Sequence, residues 1–152
     1  MDDATAEADE KANLLVEEHL LVEEIASVAD VPAILIIDDE RSMRQLLRAL
    51  LEADGFAVYE AMTGPIGLGL IPAVAPRAVV LDVMMPGMDG IEVCRRISAE
   101  HPELPVVILT GRDDRDLEVR CRAAGAAHFL TKPLRSGQLT SVLTPLLAAA
   151  GT

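Results

Sequence analysis

From Ala33 onward, apolar runs of four or five residues alternate with longer stretches whose apolar residues recur every three or four positions. That rhythm is the pattern of βαβ units, and it restricts the chain to an α/β fold with a mostly parallel sheet. Five runs read as strands: Ala33-Ile34-Leu35-Ile36-Ile37, residues 56–60, Ala78-Val79-Val80-Leu81, Val106-Val107-Ile108-Leu109 and residues 126–130. The first is apolar throughout, as a strand covered on both faces must be, and is expected at the centre of the sheet. Met43, Leu46, Leu47, Leu50 and Leu51 then repeat at helical spacing, with Gly55 placed to end the helix. Further helices are expected over 91–100, around Leu117, Cys121 and Ala124, and over 139–147, where Pro145 should introduce a kink. One slot breaks the rhythm. Residues 63–76 carry Gly64, Pro65, Gly67, Gly69 and Pro72 where a helix is due, so any helix there is expected to be short or irregular.

With 152 residues the chain has the length of one domain with one core, and at 51% hydrophobic but 2% aromatic that core must be aliphatic. No uncharged stretch has the composition of a membrane span: the longest, 61–76 and 136–152, are broken by Gly, Pro, Ser and Thr. A formal charge of −12 argues against direct DNA binding, which calls for a basic surface. Much of that charge lies at the start, where the first thirty residues hold ten acids and one lysine. Residues 1–31 therefore read as an acidic N-terminal extension, with Leu14, Leu21, Ile25 and Val28 on one face of an amphipathic helix, and residues 32–150 as the domain proper. The start lacks a basic region followed by an apolar one, which predicts a cytoplasmic protein. Cys94 and Cys121 are too few and too far apart for a zinc site and read as small buried hydrophobes.

Four of the five runs are followed at once by a polar group: Asp38-Asp39 after the first, Asp82 after the third, Thr110 after the fourth, Thr131-Lys132 after the fifth. In an open α/β sheet the ligand crevice lies beyond the carboxyl ends of the strands, so groups far apart in sequence are expected to converge there. Three carboxylates in one pocket repel one another unless a cation neutralises them, and an all-oxygen set with room for water suits Mg²⁺. Lys132 is one of two lysines beside eleven arginines, which suggests that a compact point charge is wanted at that position. Carboxylates, a metal, an ammonium and a hydroxyl are the parts of a phosphoryl-transfer site.

These residues fall into four ordered motifs: Asp38-Asp39-Glu40, then Asp82-Val83-Met84-Met85-Pro86-Gly87-Met88-Asp89-Gly90, then Leu109-Thr110-Gly111, then Gly125-Ala126-Ala127-His128-Phe129-Leu130-Thr131-Lys132-Pro133. Over residues 33–149 the chain closely resembles the receiver domain of bacterial two-component response regulators. The resemblance implies a flavodoxin-like α/β fold: a five-stranded parallel sheet of order 2-1-3-4-5 with helices on both faces, an order the chemotaxis receiver exemplifies. It also implies roles. Asp82 matches the phosphoacceptor, and Asp39, Asp82 and the backbone carbonyl of Met84 match the Mg²⁺ ligands, with Asp38 helping through water. Lys132 would pair with one phosphoryl oxygen and Thr110 with another, Phe129 would be the aromatic switch residue, and Lys132-Pro133 would be a cis peptide bond.

The function so implied is that of a single-domain response regulator, a signalling protein rather than an enzyme. It would accept a phosphoryl group from a histidine kinase or phosphotransfer protein and signal to a downstream protein by a conformational change. Only about twenty residues follow Pro133, so no output domain is expected, and homodimerisation stays open. A haloacid-dehalogenase-type phosphohydrolase would need an Asp two residues after its nucleophile, where this chain has Met84. The alternative is a phosphorylation-independent scaffold that binds through the N-terminal helix. His19, His101 and His128 lie in no recognisable phosphotransfer motif and read as surface positions. The Gly64, Gly67 and Gly69 series lacks both the dinucleotide order and the Lys-Ser/Thr of a P-loop.

Overall fold

The computed structural model describes residues 31–87 and 89–150, so the helix expected within 1–31 lies outside the described residues. The chain divides into Met1–Val31 and Pro32–Thr152, and the second unit holds every element described below. In chain order these are β1 (Ala33–Ile37), α1 (Arg41–Ala53), β2 (Ala57–Ala61), α2 (Gly64–Val74), β3 (Ala78–Leu81), α3 (Gly90–Glu100), β4 (Val106–Thr110), α4 (Arg115–Ala123), β5 (His128–Thr131) and α5 (Gln138–Ala150). The five strands form one parallel sheet of order β2-β1-β3-β4-β5. β1 is interior, as its apolar run requires, but the middle position belongs to β3. The second and fifth strands start one and two residues later than the sequence pattern placed them.

Strand periodicity divides the core between the two faces of the sheet. Leu35, Ile37, Val79, Leu81, Val106 and Ile108 point to one side, where α2, α3 and α4 cover them through Ile71, Val93, Cys94, Ile97, Leu117 and Cys121. Ile34, Ile36, Val80, Val107 and Leu109 point to the other, beneath Leu47 and Leu51 of α1 and Leu139, Leu143 and Leu147 of α5. The apolar stripe of α1 is wider than its buried face. Leu47 and Leu51 are fully buried, Met43 packs at the margin, and Leu46 and Leu50 are about half exposed. α5 continues through Pro145.

The expectation of a short or irregular second helix is corrected by α2, which runs eleven residues, as long as α3. Two features offset its poor propensities. Thr63 caps its start, accepting a hydrogen bond from the Ile66 N–H at 3.2 Å, and Pro65 occupies the first turn, where the missing N–H costs nothing. Gly67 is buried against β1, and a Cβ built there would lie 2.4 Å from Ile37 Cδ1, so the glycine is what lets the helix sit down on the sheet. Local penalties of about 1 kcal/mol per glycine are outweighed by packing that a linear reading does not contain.

Candidate functional site

The loops that leave β1, β3 and β5 meet at the carboxyl ends of the strands. β1 and β3 are neighbours, paired Ile37 with Leu81, so Asp38 and Asp82 emerge side by side. The Asp82 N–H bonds to the Ile37 carbonyl at 2.9 Å and the Asp38 N–H to the Ala61 carbonyl at 3.1 Å, extending the ladders one residue into the site. Both carboxylates are buried, whereas Asp39 is exposed, and one oxygen from each of the three lies within 4.8 Å of the others. Each buried carboxylate is turned by an amide two residues on: Glu40 N–H donates to Asp38 Oδ1 and Met84 N–H to Asp82 Oδ1, both at 2.9 Å.

Their other oxygens face Lys132. Its Nζ lies 3.0 Å from Asp38 Oδ2, 3.1 Å from Asp82 Oδ2 and 3.9 Å from Glu40 Oε2. At the end of β5 the Lys132 N–H donates to the Thr110 carbonyl at 2.7 Å, and the Lys132-Pro133 peptide bond is cis. Thr110 ends β4, wholly buried, and its Oγ1 has no hydrogen-bond partner among the described residues. Phe129, opposite Ile108 in β5, is partly buried against the cluster that α2, α3 and α4 cover. Met84 is about half exposed at the rim.

The electrostatics are unbalanced. The cluster of Asp38, Asp39 and Asp82 is accompanied by one ammonium, which leaves it two formal negative charges in excess. Burial pushes the Asp38 carboxyl above its ordinary value, against the pull of the Glu40 amide and Lys132. Burial alone would lower the Lys132 ammonium, but its hydrogen bonds to Asp38 and Asp82 outweigh that and hold it above the usual lysine range. An all-oxygen cluster with an excess of two negative charges fits a hard divalent cation such as Mg²⁺, with Asp38, Asp39 and Asp82 as the side chains that would hold it.

Asp38, Asp39, Asp82 and Lys132 are thus gathered at one point, Thr110 is joined to Lys132 through the main chain, and Phe129 packs in the core below. Asp89 and Gly90 lie outside the pocket as a cap and a turn: the Asp89 side chain accepts from Ile91 N–H, and a Cβ on Gly90 would lie 2.3 Å from Val83 Cα. Two residues escaped the sequence reading as members of the site. Glu40 is a third carboxylate within reach of Lys132, its Oε2 3.9 Å from Nζ, and Arg44, one turn into α1, donates from Nη1 to the Asp38 carbonyl at 2.8 Å. The Glu40 signal was its place directly after the paired aspartates, whereas nothing in the linear pattern marks Arg44.

A 2-1-3-4-5 parallel sheet with an acidic crevice and a bridging lysine beyond its strand ends defines the class of receiver-type signalling domains. The family model described as the response regulator receiver domain matches residues 34–144, and the chain belongs to that family. Response regulator MprA of Mycolicibacterium vanbaalenii is 42% identical over 114 residues, which cover 75% of this chain and 49% of that protein. The MprA of Mycobacterium avium is 40% identical over 114 residues, covering 75% and 50%. The chain therefore spans about half the length of these curated relatives. A response regulator receiver domain protein from Clostridium thermocellum superposes with a TM-score of 0.75 at 30% identity, covering 80% of this chain and 98% of that one. A CheY-like receiver domain protein from Methanospirillum hungatei, at 24% identity and TM-score 0.76 over the same shares, speaks for the fold alone. Among the described residues no helix is long and apolar enough to cross a membrane.

Proposed function

We propose that residues 32–150 form a cytoplasmic phosphoacceptor domain in which Asp82 takes a phosphoryl group from a phosphohistidine on a kinase or phosphotransfer protein. The observation that carries this reading is the placement of Lys132 Nζ within 3.1 Å of both buried carboxylates, Asp38 and Asp82. Such a lysine is already where the oxygens of a phosphoryl group on Asp82 would come to lie. In the transfer an Asp82 carboxylate oxygen attacks phosphorus in line, the P–N bond to the donor imidazole breaks, and the imidazole leaves with its electron pair and takes a proton from solvent. Asp82 is kept oriented by the Met84 amide on Oδ1. Lys132 exchanges a carboxylate partner for a phosphoryl oxygen. Mg²⁺, when bound, supplies the positive charge that offsets the carboxylates and the developing phosphoryl charge.

The unpartnered hydroxyl of Thr110 supports a conformational readout. A phosphoryl oxygen on the neighbouring strand end would give that buried donor an acceptor, and a shift of Thr110 toward it moves the loop after β4 and frees space for Phe129. Two arrangements of one packed core would then be biased by a covalent group, and the changed surface of α4, β5 and α5 would be read by a downstream protein.

The test is the intact mass of the wild type and of Asp82→Asn after incubation with Mg²⁺ and a small acyl-phosphate donor. A gain of one phosphoryl group in the wild type, lost with EDTA and in the variant, is expected. A folded wild-type protein that gains no mass from the donor or from a phosphorylated kinase would sink the reading.

A further inference from the structure

We infer that Arg44 is a positioning residue for the metal-binding carboxylates, acting on the main chain of Asp38 as one arm of a fork whose other arm is anchored on β2. The inference rests on the receiver reading above and concerns how the acidic loop after β1 keeps its shape. The Asp38 peptide is gripped at both ends: its N–H donates to the Ala61 carbonyl at 3.1 Å, and its carbonyl accepts from Arg44 Nη1 at 2.8 Å. With the backbone held, the side chain has one useful direction, toward the Glu40 amide and Lys132.

The same guanidinium donates from Nε to Glu60 Oε1 at 3.2 Å, and the other oxygen of Glu60 accepts from Arg48 Nε at 2.7 Å. Glu60 lies in β2 opposite Ile36 and is held by two arginines one helical turn apart, so α1 is clamped to the edge strand beside the site. The Arg44 side chain is 13% exposed, far less than the 37% of Arg48. Two features make arginine the residue for this place. Its planar fork serves a carbonyl and a carboxylate at once, which the point charge of lysine does not do in fixed geometry. Glu60 also pairs with the Arg44 charge on the side away from the Asp38 carbonyl, so the arginine is drawn toward β2 rather than toward the ion the carboxylates would hold.

The geometry has a specific consequence. Losing the fork loosens the loop that carries Asp38 and Asp39, so the carboxylates must be reordered whenever a divalent ion binds, while Asp82 and Lys132 keep their own supports on β3 and β5. The defect then lies in metal affinity and vanishes when the metal is saturating. Outer hydrogen-bond partners of metal ligands carry about 10- to 100-fold in affinity, and tenfold is expected here.

The experiment titrates the full chain with Mg²⁺, followed by amide NMR shifts, for wild type, Arg44→Met, Arg44→Lys and Glu60→Gln, with phosphorylation rates from an acyl-phosphate donor at limiting and saturating Mg²⁺. Methionine keeps the apolar stem and removes the fork. Arg44→Met should bind Mg²⁺ about tenfold more weakly and regain the wild-type rate at saturation. Arg44→Lys should recover part of the affinity, and Glu60→Gln should shift it less in the same direction. Unchanged affinity in Arg44→Met, or a rate defect that saturating Mg²⁺ leaves in place, overturns the positioning role while the receiver reading stands. Should Arg44→Met not fold, unchanged affinity in Glu60→Gln overturns it. A wild type that binds no Mg²⁺ overturns both.

Discussion

Lys132 Nζ and Asp38 Oδ2 stand 3.0 Å apart although 94 positions separate them in the chain, and the same ammonium lies 3.1 Å from Asp82 Oδ2. It is the cation that makes two adjacent buried carboxylates tolerable. Replacing it with methionine leaves them facing each other with nothing but the Glu40 and Met84 amides in support. Breaking a buried charge pair from one side costs about 3–5 kcal/mol, and since Lys132 itself is 14% exposed, roughly 2–3 kcal/mol is expected for Lys132→Met. Urea unfolding with and without Mg²⁺ checks this. The variant should be the less stable of the two without metal and should gain more than wild type on adding it. Equal stabilities would mean the pair contributes nothing net.

Thr110 poses the opposite case. Its hydroxyl is fully buried with no partner among the described residues, and a buried donor left unmade costs about 1–3 kcal/mol. Valine has the same branched shape without the hydroxyl. Thr110→Val should therefore be as stable as wild type or more so, by up to about 1 kcal/mol, while losing the phosphorylation-induced change in hydrogen exchange along α4 and β5. A clear loss of stability in thermal melts would show that the hydroxyl is satisfied in the folded protein.

Much of this arrangement was legible in the sequence because its determinants are local. Asp38, Asp82 and Thr110 each follow an apolar run directly and Lys132 follows one after Thr131, and a parallel sheet brings strand ends together whatever their spacing in the chain. α2 was illegible for a physical reason. Its glycines and prolines carry local penalties, and the compensating contact, Gly67 against Ile37, joins a helix to a strand thirty residues earlier. Leu46 and Leu50 share the helical spacing of Leu47 and Leu51 but fall beyond the edge of the buried face, which periodicity alone does not delimit. Arg44 has meaning only once Asp38 and Glu60 are seen on either side of it.

The two central glycines of α2 should respond in opposite ways. Nothing lies within 4 Å of a Cβ built on Gly69, so Gly69→Ala gains helix propensity without a clash and should stabilise by about 0.5–1 kcal/mol. A Cβ on Gly67 meets Ile37 Cδ1 at 2.4 Å and Cγ1 at 2.7 Å. Gly67→Ala should displace the helix or the Ile37 rotamer and cost about 1–3 kcal/mol. Chemical denaturation of both variants separates the effects. Stabilisation by both substitutions would mean that α2 does not pack this closely on β1.

Cys94 and Cys121 test the core from its chemistry. Both are buried in the layer under α3 and α4, and burial pushes the Cys94 thiol up to about 11, with that of Cys121 also raised. A thiol with so little thiolate near neutral pH is a poor nucleophile. Neither residue should react with iodoacetamide at pH 7.5 in the folded protein, and both should react once urea unfolds it. The same shifts fix the alkaline limb of stability. In the unfolded chain the thiols ionise near pH 8.5, whereas folded Cys94 holds its proton to about 11. The stability associated with the protonated thiols is complete below about pH 8.5 and is lost as the pH rises through the folded values, at no more than about 1.4 kcal/mol per unit for each group. Cys94→Ala should flatten that limb measurably. A native protein that alkylates rapidly at neutral pH would mean that the α3 and α4 layer opens far more readily than its packing implies.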